Sequence, residues 1–149
     1  MPGMRVLGID PGARRVGLAL SDDEGRIASP HTTLQVTGIA AVAAEIAALA
    51  SALAVERLVI GLPLQLDGRE GESARRVRVL AAKIAERCAL PIVFWDERLS
   101  SKAAERALRE GGVRGSKQRA LVDQVAAALL LQSYLDAQRP ARDGDDYDD

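Results

Sequence analysis

Short apolar runs separated by polar turns dominate the first third of the chain. Two such runs occupy Met4–Asp10 and Arg15–Ser21, and a third, more polar run spans Arg26–Leu34. A short apolar run bounded by turn residues is typical of a buried strand. The pattern predicts three strands of an antiparallel meander, and Pro30 favours an edge position for the third strand.

Helical spacing then alternates with further short apolar runs. Apolar residues recur on one helical face from Ile39 to Leu53 and from Val77 to Cys88. The segment from Ser116 to about Gln138 is apolar around much of its circumference, which predicts a long helix packed against the sheet. The runs Arg57–Pro63 and Pro91–Glu97 lack this spacing and predict strands.

The element order predicts an α/β domain over residues 1–140. A meander followed by β-α-β units implies a mixed five-stranded sheet, three antiparallel strands plus parallel strands, flanked by helices. One more helix is expected from Ser100 or Ser101 to Gly112. Sites in open α/β sheets form at the carboxyl ends of strands, and Asp10, Asp96 and Glu97 occupy such ends.

The net charge of −1 conceals an uneven distribution of charge. Asp143–Asp149 contains five aspartates and no base, so the remaining chain carries 20 basic and 16 acidic residues. We therefore predict a disordered acidic tail over residues 141–149 and a basic body. A basic body suits a nucleic-acid partner.

Cysteine and histidine usage restricts the kinds of metal site. Cys88 and His31 are the single residues of their types, which excludes a disulfide framework and the usual zinc centres. A metal would need carboxylate ligands, which favour Mg²⁺ or Mn²⁺.

The chain shows no secretory or membrane signal. Its start runs directly into a predicted strand, and the most apolar segment, Ile39–Val55, is too short for a membrane span and carries Glu45. We expect a cytoplasmic protein without a membrane partner.

Three carboxylates from three elements form the candidate catalytic and metal site: Asp10, Glu97 and Asp123. Asp123 lies in an apolar helix, where burial is costly unless the acid is paired, hydrogen-bonded or bound to metal. Clustered carboxylates repel one another without a cation, and metal pairs promote phosphodiester displacement. Each acid also has a purely structural interpretation, as a turn, a helix cap or a satisfied polar residue.

Four segments in order resemble the YqgF/RuvX family of pre-16S rRNA nucleases, also described as Holliday junction resolvases. The resemblance covers roughly residues 4 to 136. Its segments are Gly8–Gly12 with Arg15–Ala19, Gly61–Pro63 with Gly68 and Gly71, Asp96–Ser100, and Asp123–Ala127.

This resemblance implies an RNase H-like fold, metal-dependent phosphodiester hydrolysis and a role in maturing the 5′ end of 16S rRNA. By position, Asp10, Glu97 and Asp123 match the acidic residues of the family, with Glu97 favoured over Asp96 to face the metal. Ser101 stands where the family often has threonine, so the hydroxyl is kept.

Basic residues concentrate between two of the acids. From Arg98 to Arg119 there are seven bases and two acids, and such residues contact phosphates without reading sequence. An ordinary solvated helix face is the alternative for any one of them. The candidate nucleic-acid contacts are Arg14, Arg15, Arg98, Lys102, Arg114, Lys117 and Arg119.

Several functions stay open at this level. The leading one is a nuclease on precursor rRNA, with ribosomal precursor particles as possible partners and the chain a monomer or homodimer. Rivals are an endonuclease on branched DNA and a non-catalytic ribosome-assembly factor, although a pure binder gains nothing from clustered acids near phosphates. An actin-like ATPase would need a cleft between two such domains, and 149 residues make one.

Overall fold

The computed structural model describes residues 4–99 and 115–139. The helix expected from Ser100 or Ser101, the candidate contacts Lys102 and Arg114, and the acidic tail over 141–149 lie outside the described residues. The domain boundary at residue 140 therefore stays a prediction.

Within the described residues, five strands form one mixed sheet in the order β3-β2-β1-β4-β5. The first three pair antiparallel, whereas β4 pairs parallel with β1 and β5 pairs parallel with β4. The predicted meander with added parallel strands is thus confirmed. The strands are β1 (Val6–Pro11), β2 (Arg15–Ser21), β3 (Ala28–Gln35), β4 (Arg57–Leu62) and β5 (Ile92–Asp96).

The third strand lies at the sheet edge, as its proline predicts. Pro30 pairs with Ala19 and Thr32 pairs with Leu18, so His31 is the extra residue of a bulge. An edge strand tolerates the missing N–H of proline because its outer side has no ladder to complete.

Helices cover both faces of the sheet. Helices α1 (Ile39–Ala52) and α2 (Glu72–Ala85) pack on one face, where Leu7, Ile9 and Ile60 are fully buried. Helix α3 (Gly115–Ala137) packs on the other face against small residues of the inner strands. None of the helices in the described ranges is long and apolar enough to cross a membrane.

Several element ends differ from the predicted runs, and the differences at α2 and β5 have a clear physical reason. Helix α2 begins at Glu72 rather than at Val77, because its first turn is largely exposed and apolar periodicity cannot detect it. Strand β5 ends at Asp96, and Glu97 begins a short 3₁₀ turn that ends at Leu99. Glu97 therefore follows the strand end.

Candidate active site

The three predicted acids lie on the α3 face of the sheet, near the carboxyl ends of β1 and β4. In β1, Ile9 points into the α1/α2 core, so the alternation of side chains directs Asp10 to the α3 side. Asp123 lies on α3, and its helix face carries the buried Ala127 and Leu130. The predicted orientation of Asp123 towards the sheet is thus confirmed.

Glycines flank Asp10 on both neighbouring strands. Gly17 is its direct partner on β2. On the other side Ile9 pairs with Ile60, so Gly61 is the next residue along β4 and flanks Asp10 there. Of the three neighbouring residues Gly17, Asp10 and Gly61, only Asp10 therefore presents a side chain towards α3.

The other two acids lie over those glycines. A methyl group added at Gly17 would overlap the carbonyl oxygen of Asp123 and lie 3.2 Å from its Cβ. One added at Gly61 would lie 3.1 Å from Cγ of Glu97. The missing side chains let α3 and the turn after β5 approach the sheet, so that Asp123 and Glu97 lie on either side of Asp10.

Sequence reasoning missed the roles of Gly17 and Gly61. A glycine inside a strand is disfavoured unless a bulge, a bend or a close approach requires it. Both residues occur within apolar strand segments. A glycine at such a position indicates a close approach of another part of the chain, but it does not identify the residue that approaches.

Arg15 pairs with one of the acids. Its Nε lies 2.5 Å from Oδ2 of Asp123, and both side chains are about three-quarters buried. Arg15 was predicted to contact nucleic acid, and in the structure it neutralises a site carboxylate. Whether it also meets a phosphate stays a prediction.

Arg98 connects the end of β5 to the loop before α2. Its backbone N–H donates to Oδ1 of Asp96 at 2.9 Å, and its Nη2 donates to Oδ2 at 2.7 Å. Its Nη1 approaches the carbonyl oxygens of Gln65 and Leu66 at 3.5 and 3.4 Å. The hydrogen bonds to Asp96 raise the pKa of the Arg98 guanidinium above its ordinary value.

The segment around Glu97 is also tied to α3. Ser133 accepts a hydrogen bond from Nε1 of Trp95 at 3.1 Å and donates one to the carbonyl of Leu99 at 3.0 Å. The Trp95 ring meets Tyr134 edge to face, with centroids 5.4 Å apart. Glu97 is thus held between two anchored positions, Trp95 and Leu99.

We expect Arg98→Lys to lower activity more than binding. Lysine keeps the charge but loses the planar fork that holds Asp96 and the loop together. Cleavage should fall about tenfold, as expected for the loss of a charged hydrogen bond, while the salt dependence of substrate binding stays unchanged. The matched control is Arg69→Lys, on an exposed loop arginine. A loss of affinity with unchanged cleavage at saturation would instead make Arg98 a phosphate contact.

The remaining described basic candidates surround the acids at the same end of the molecule. Arg14 follows β1, while Lys117 and Arg119 lie in the first turns of α3, and all three are exposed. None of them forms a salt bridge with another described residue. They are available to an external anion.

Among the described residues, the three acids lie on one face of the sheet but do not form a complete set of metal ligands. Within residues 4–99 and 115–139, no three His, Cys, Asp or Glu side chains form a group that could hold a metal ion. The carboxylate of Asp123 forms an ion pair with Arg15. The catalytic and metal-binding roles of Asp10, Glu97 and Asp123 stay predictions.

Most of the chain matches a known protein family. A family model described as "RuvX: Holliday junction resolvase" matches residues 4–137. The chain belongs to the RuvX family. The resemblance seen in the sequence motifs is thereby confirmed, and the family consists of nucleases of the resolvase type.

RuvX relatives match this chain over nearly its whole length. A protein of Myxococcus xanthus is 42% identical over 148 residues, covering 97% of this chain and 98% of its own. One of Anaeromyxobacter dehalogenans is 45% identical over 137 residues, covering 92% of this chain and 100% of its own. Both carry the name "Putative pre-16S rRNA nuclease".

Solved structures show the same fold in resolvases. Thermus thermophilus RuvC in complex with a Holliday junction substrate aligns with a TM-score of 0.58 at 16% identity, covering 91% of this chain and 95% of its own. Fowlpox virus resolvase in complex with a Holliday junction aligns with a TM-score of 0.57 at 8% identity, covering 92% and 100%. The predicted RNase H-like fold of this RuvX-family chain is confirmed.

Proposed function

We propose that this RuvX-family chain is a metal-dependent nuclease that trims the 5′ end of precursor 16S rRNA in the cytoplasm. The observation that carries the proposal is the position of Asp10 between two glycines, with Asp123 over one and Glu97 over the other. Gathering three carboxylates on one face costs repulsion between like charges, which a cation bound among them would relieve. The name of the relatives favours the rRNA substrate.

The donor set suits a hard divalent cation. Asp10, Glu97 and Asp123 offer the carboxylate oxygens that Mg²⁺ and Mn²⁺ prefer, and Gly17 and Gly61 let Asp123 and Glu97 approach the sheet on either side of Asp10. These three residues would hold the ion. When bound, such an ion polarises a phosphoryl oxygen and lowers the pKa of bound water.

The side chains at and around the site have different roles. Asp10 is fixed by paired strands on both sides, which makes it the most rigid of the acids. Arg15 balances the charge of Asp123 and limits repulsion between the acids and a phosphate. The Asp96–Arg98 pair and Ser133 hold the segment that carries Glu97.

Substitution of Lys117 and Arg119 tests whether the RNA runs along the first turns of α3. We expect Lys117→Gln with Arg119→Gln to weaken RNA binding, and to reduce the slope of log affinity against log salt by about one for each lost phosphate contact. Filter binding at several salt concentrations measures both quantities. The control is Arg87→Gln, an exposed arginine beyond the far end of α2. Equal losses in the control would show general electrostatics rather than a path along α3.

Branched DNA is the second candidate substrate. The family description names Holliday junctions, and the two structural neighbours were solved with them. We expect a precursor rRNA fragment to compete with an unlabelled four-way DNA junction and to be cut in preference. Faster cleavage of the junction under identical conditions would assign the chain to DNA instead.

A further inference from the structure

A cavity of about 350 Å³ lies on the other face of the sheet, where α1 and α2 meet the strand ends. The buried residues Val16, Val42 and Val77 form its floor. Pro11 and Pro63 form part of its walls. The volume is at the lower end of the range for small-molecule sites, and the largely apolar lining suits a compact apolar group.

The cavity borders the candidate active site through the backbone. Pro11 directly follows Asp10, and Pro63 lies two residues after Gly61. Asp10 faces α3, whereas the cavity lies on the α1/α2 side of the same strand ends. A nucleic acid bound at the acids could therefore reach the cavity by crossing this edge of the sheet.

One cationic side chain, Arg76, lies at the rim of the cavity. Arg76 and Ser73 line it, and Nη2 of Arg76 donates to Oγ of Ser73 at 3.3 Å. No salt bridge joins Arg76 to a carboxylate among the described residues. Arg76 therefore gives the rim a positive charge that is complementary to a phosphate.

We propose that this cavity binds the base of an unpaired nucleotide in the substrate, with the phosphate of that nucleotide on Arg76. A nucleotide combines flat apolar faces with one anionic group, and the cavity combines apolar walls with a cationic rim. Enzymes that expose single bases hold them in pockets of this kind, between apolar side chains. The proposal rests on the proposed function in one respect, that the nucleotide belongs to the substrate.

Nucleotide binding can be tested without any cleavage. Adenosine monophosphate is titrated into the ¹⁵N-labelled full chain, with inorganic phosphate as a parallel titration. We expect the monophosphate to shift the amide signals of Gly12, Ala13 and Ile39, and phosphate alone to leave these three unchanged. Shifts that are equal for the two probes, or that avoid the cavity, would overturn the proposal.

Matched variants separate the cavity from surface charge. Arg76→Ala should weaken adenosine monophosphate binding about tenfold, as for a lost charged hydrogen bond. Arg75→Ala removes the same charge from an exposed neighbour that does not line the cavity and should have little effect. Equal losses in the two variants would leave only general electrostatics and overturn the role of Arg76.

A blocking variant connects the cavity to the substrate. Ile39→Trp fills the cavity from its partly exposed wall, and Val79→Trp places the same bulk on the exposed side of α2. An RNA with 2-aminopurine at one unpaired position should brighten on binding to wild type and to Val79→Trp, but not to Ile39→Trp. Asp10→Asn should keep the fluorescence increase, so that loss of cleavage can be distinguished from loss of base binding in the cavity. Brightening in Ile39→Trp would overturn the assignment.

Discussion

Asp10→Asn is expected to slow cleavage of a precursor 16S rRNA fragment in Mg²⁺ or Mn²⁺ by at least about a hundredfold, comparable to losing a group that stabilises the transition state. The amide keeps the shape of the side chain but removes the charge that a divalent cation needs. Asp10 has no substitute in its row, because the flanking residues are Gly17 and Gly61. Initial rates at saturating RNA measure the effect.

Binding should respond in the opposite direction. Removing one negative charge beside the phosphates lowers repulsion, so the Asp10→Asn variant should bind RNA at least as tightly as wild type in the absence of metal. The matched control is Asp136→Asn, an exposed aspartate near the far end of α3. Cleavage by the Asp10→Asn variant at the wild-type rate would remove Asp10 from the mechanism, and unchanged metal uptake in calorimetry would remove it from the metal site.

Gly17→Ala is expected to lower the free energy of unfolding by about 1–3 kcal/mol, the usual cost of overpacking, and to abolish most cleavage. The added methyl group would overlap the carbonyl oxygen of Asp123, and a backbone atom in a long helix cannot move aside by changing a rotamer. Helix α3 must shift away from β2, which carries Asp123 away from Asp10. Urea unfolding and cleavage assays measure the two effects.

The control for this substitution is Gly38→Ala. A methyl group at Gly38 would meet no atom within 4 Å, so this variant adds no overlap. Because Gly38 is the N-cap of α1, where alanine is less favourable than glycine, the free energy of unfolding should fall by no more than about 1 kcal/mol and cleavage should be kept. Cleavage is compared at a temperature where every variant is folded, which separates displacement of Asp123 from unfolding. Wild-type stability in Gly17→Ala would show that α3 does not depend on this close contact.

Much of the fold followed from local patterns. The meander, the edge position of β3 and the sheet-facing side of α3 were all predicted, because strand alternation and helical periodicity reflect burial directly. The early start of α2 at Glu72 was missed because an exposed first turn has no apolar pattern. The turn at Glu97 was missed because an apolar run reveals a strand but locates its end only approximately.

The basic residues show what local reasoning leaves undecided. Arg15 and Arg98 were predicted as nucleic-acid contacts from their proximity in sequence to Asp10 and Glu97. In the structure they pair with Asp123 and Asp96. An arginine next to a site acid can serve a phosphate or a carboxylate, and the choice depends on which acid the tertiary structure brings within reach.

Local patterns along the chain were enough to predict the residue types of the site, the strand ends that carry Asp10 and the region of Glu97, and the helix that carries Asp123. The flanking of Asp10 by Gly17 and Gly61, with Asp123 and Glu97 over them, emerges from the folded arrangement alone. The physical reason is that periodicity encodes which face of an element is buried, whereas the distance between elements depends on side-chain volume at contacts remote in sequence. At Gly17 that volume is zero, and α3 approaches until its backbone meets the strand.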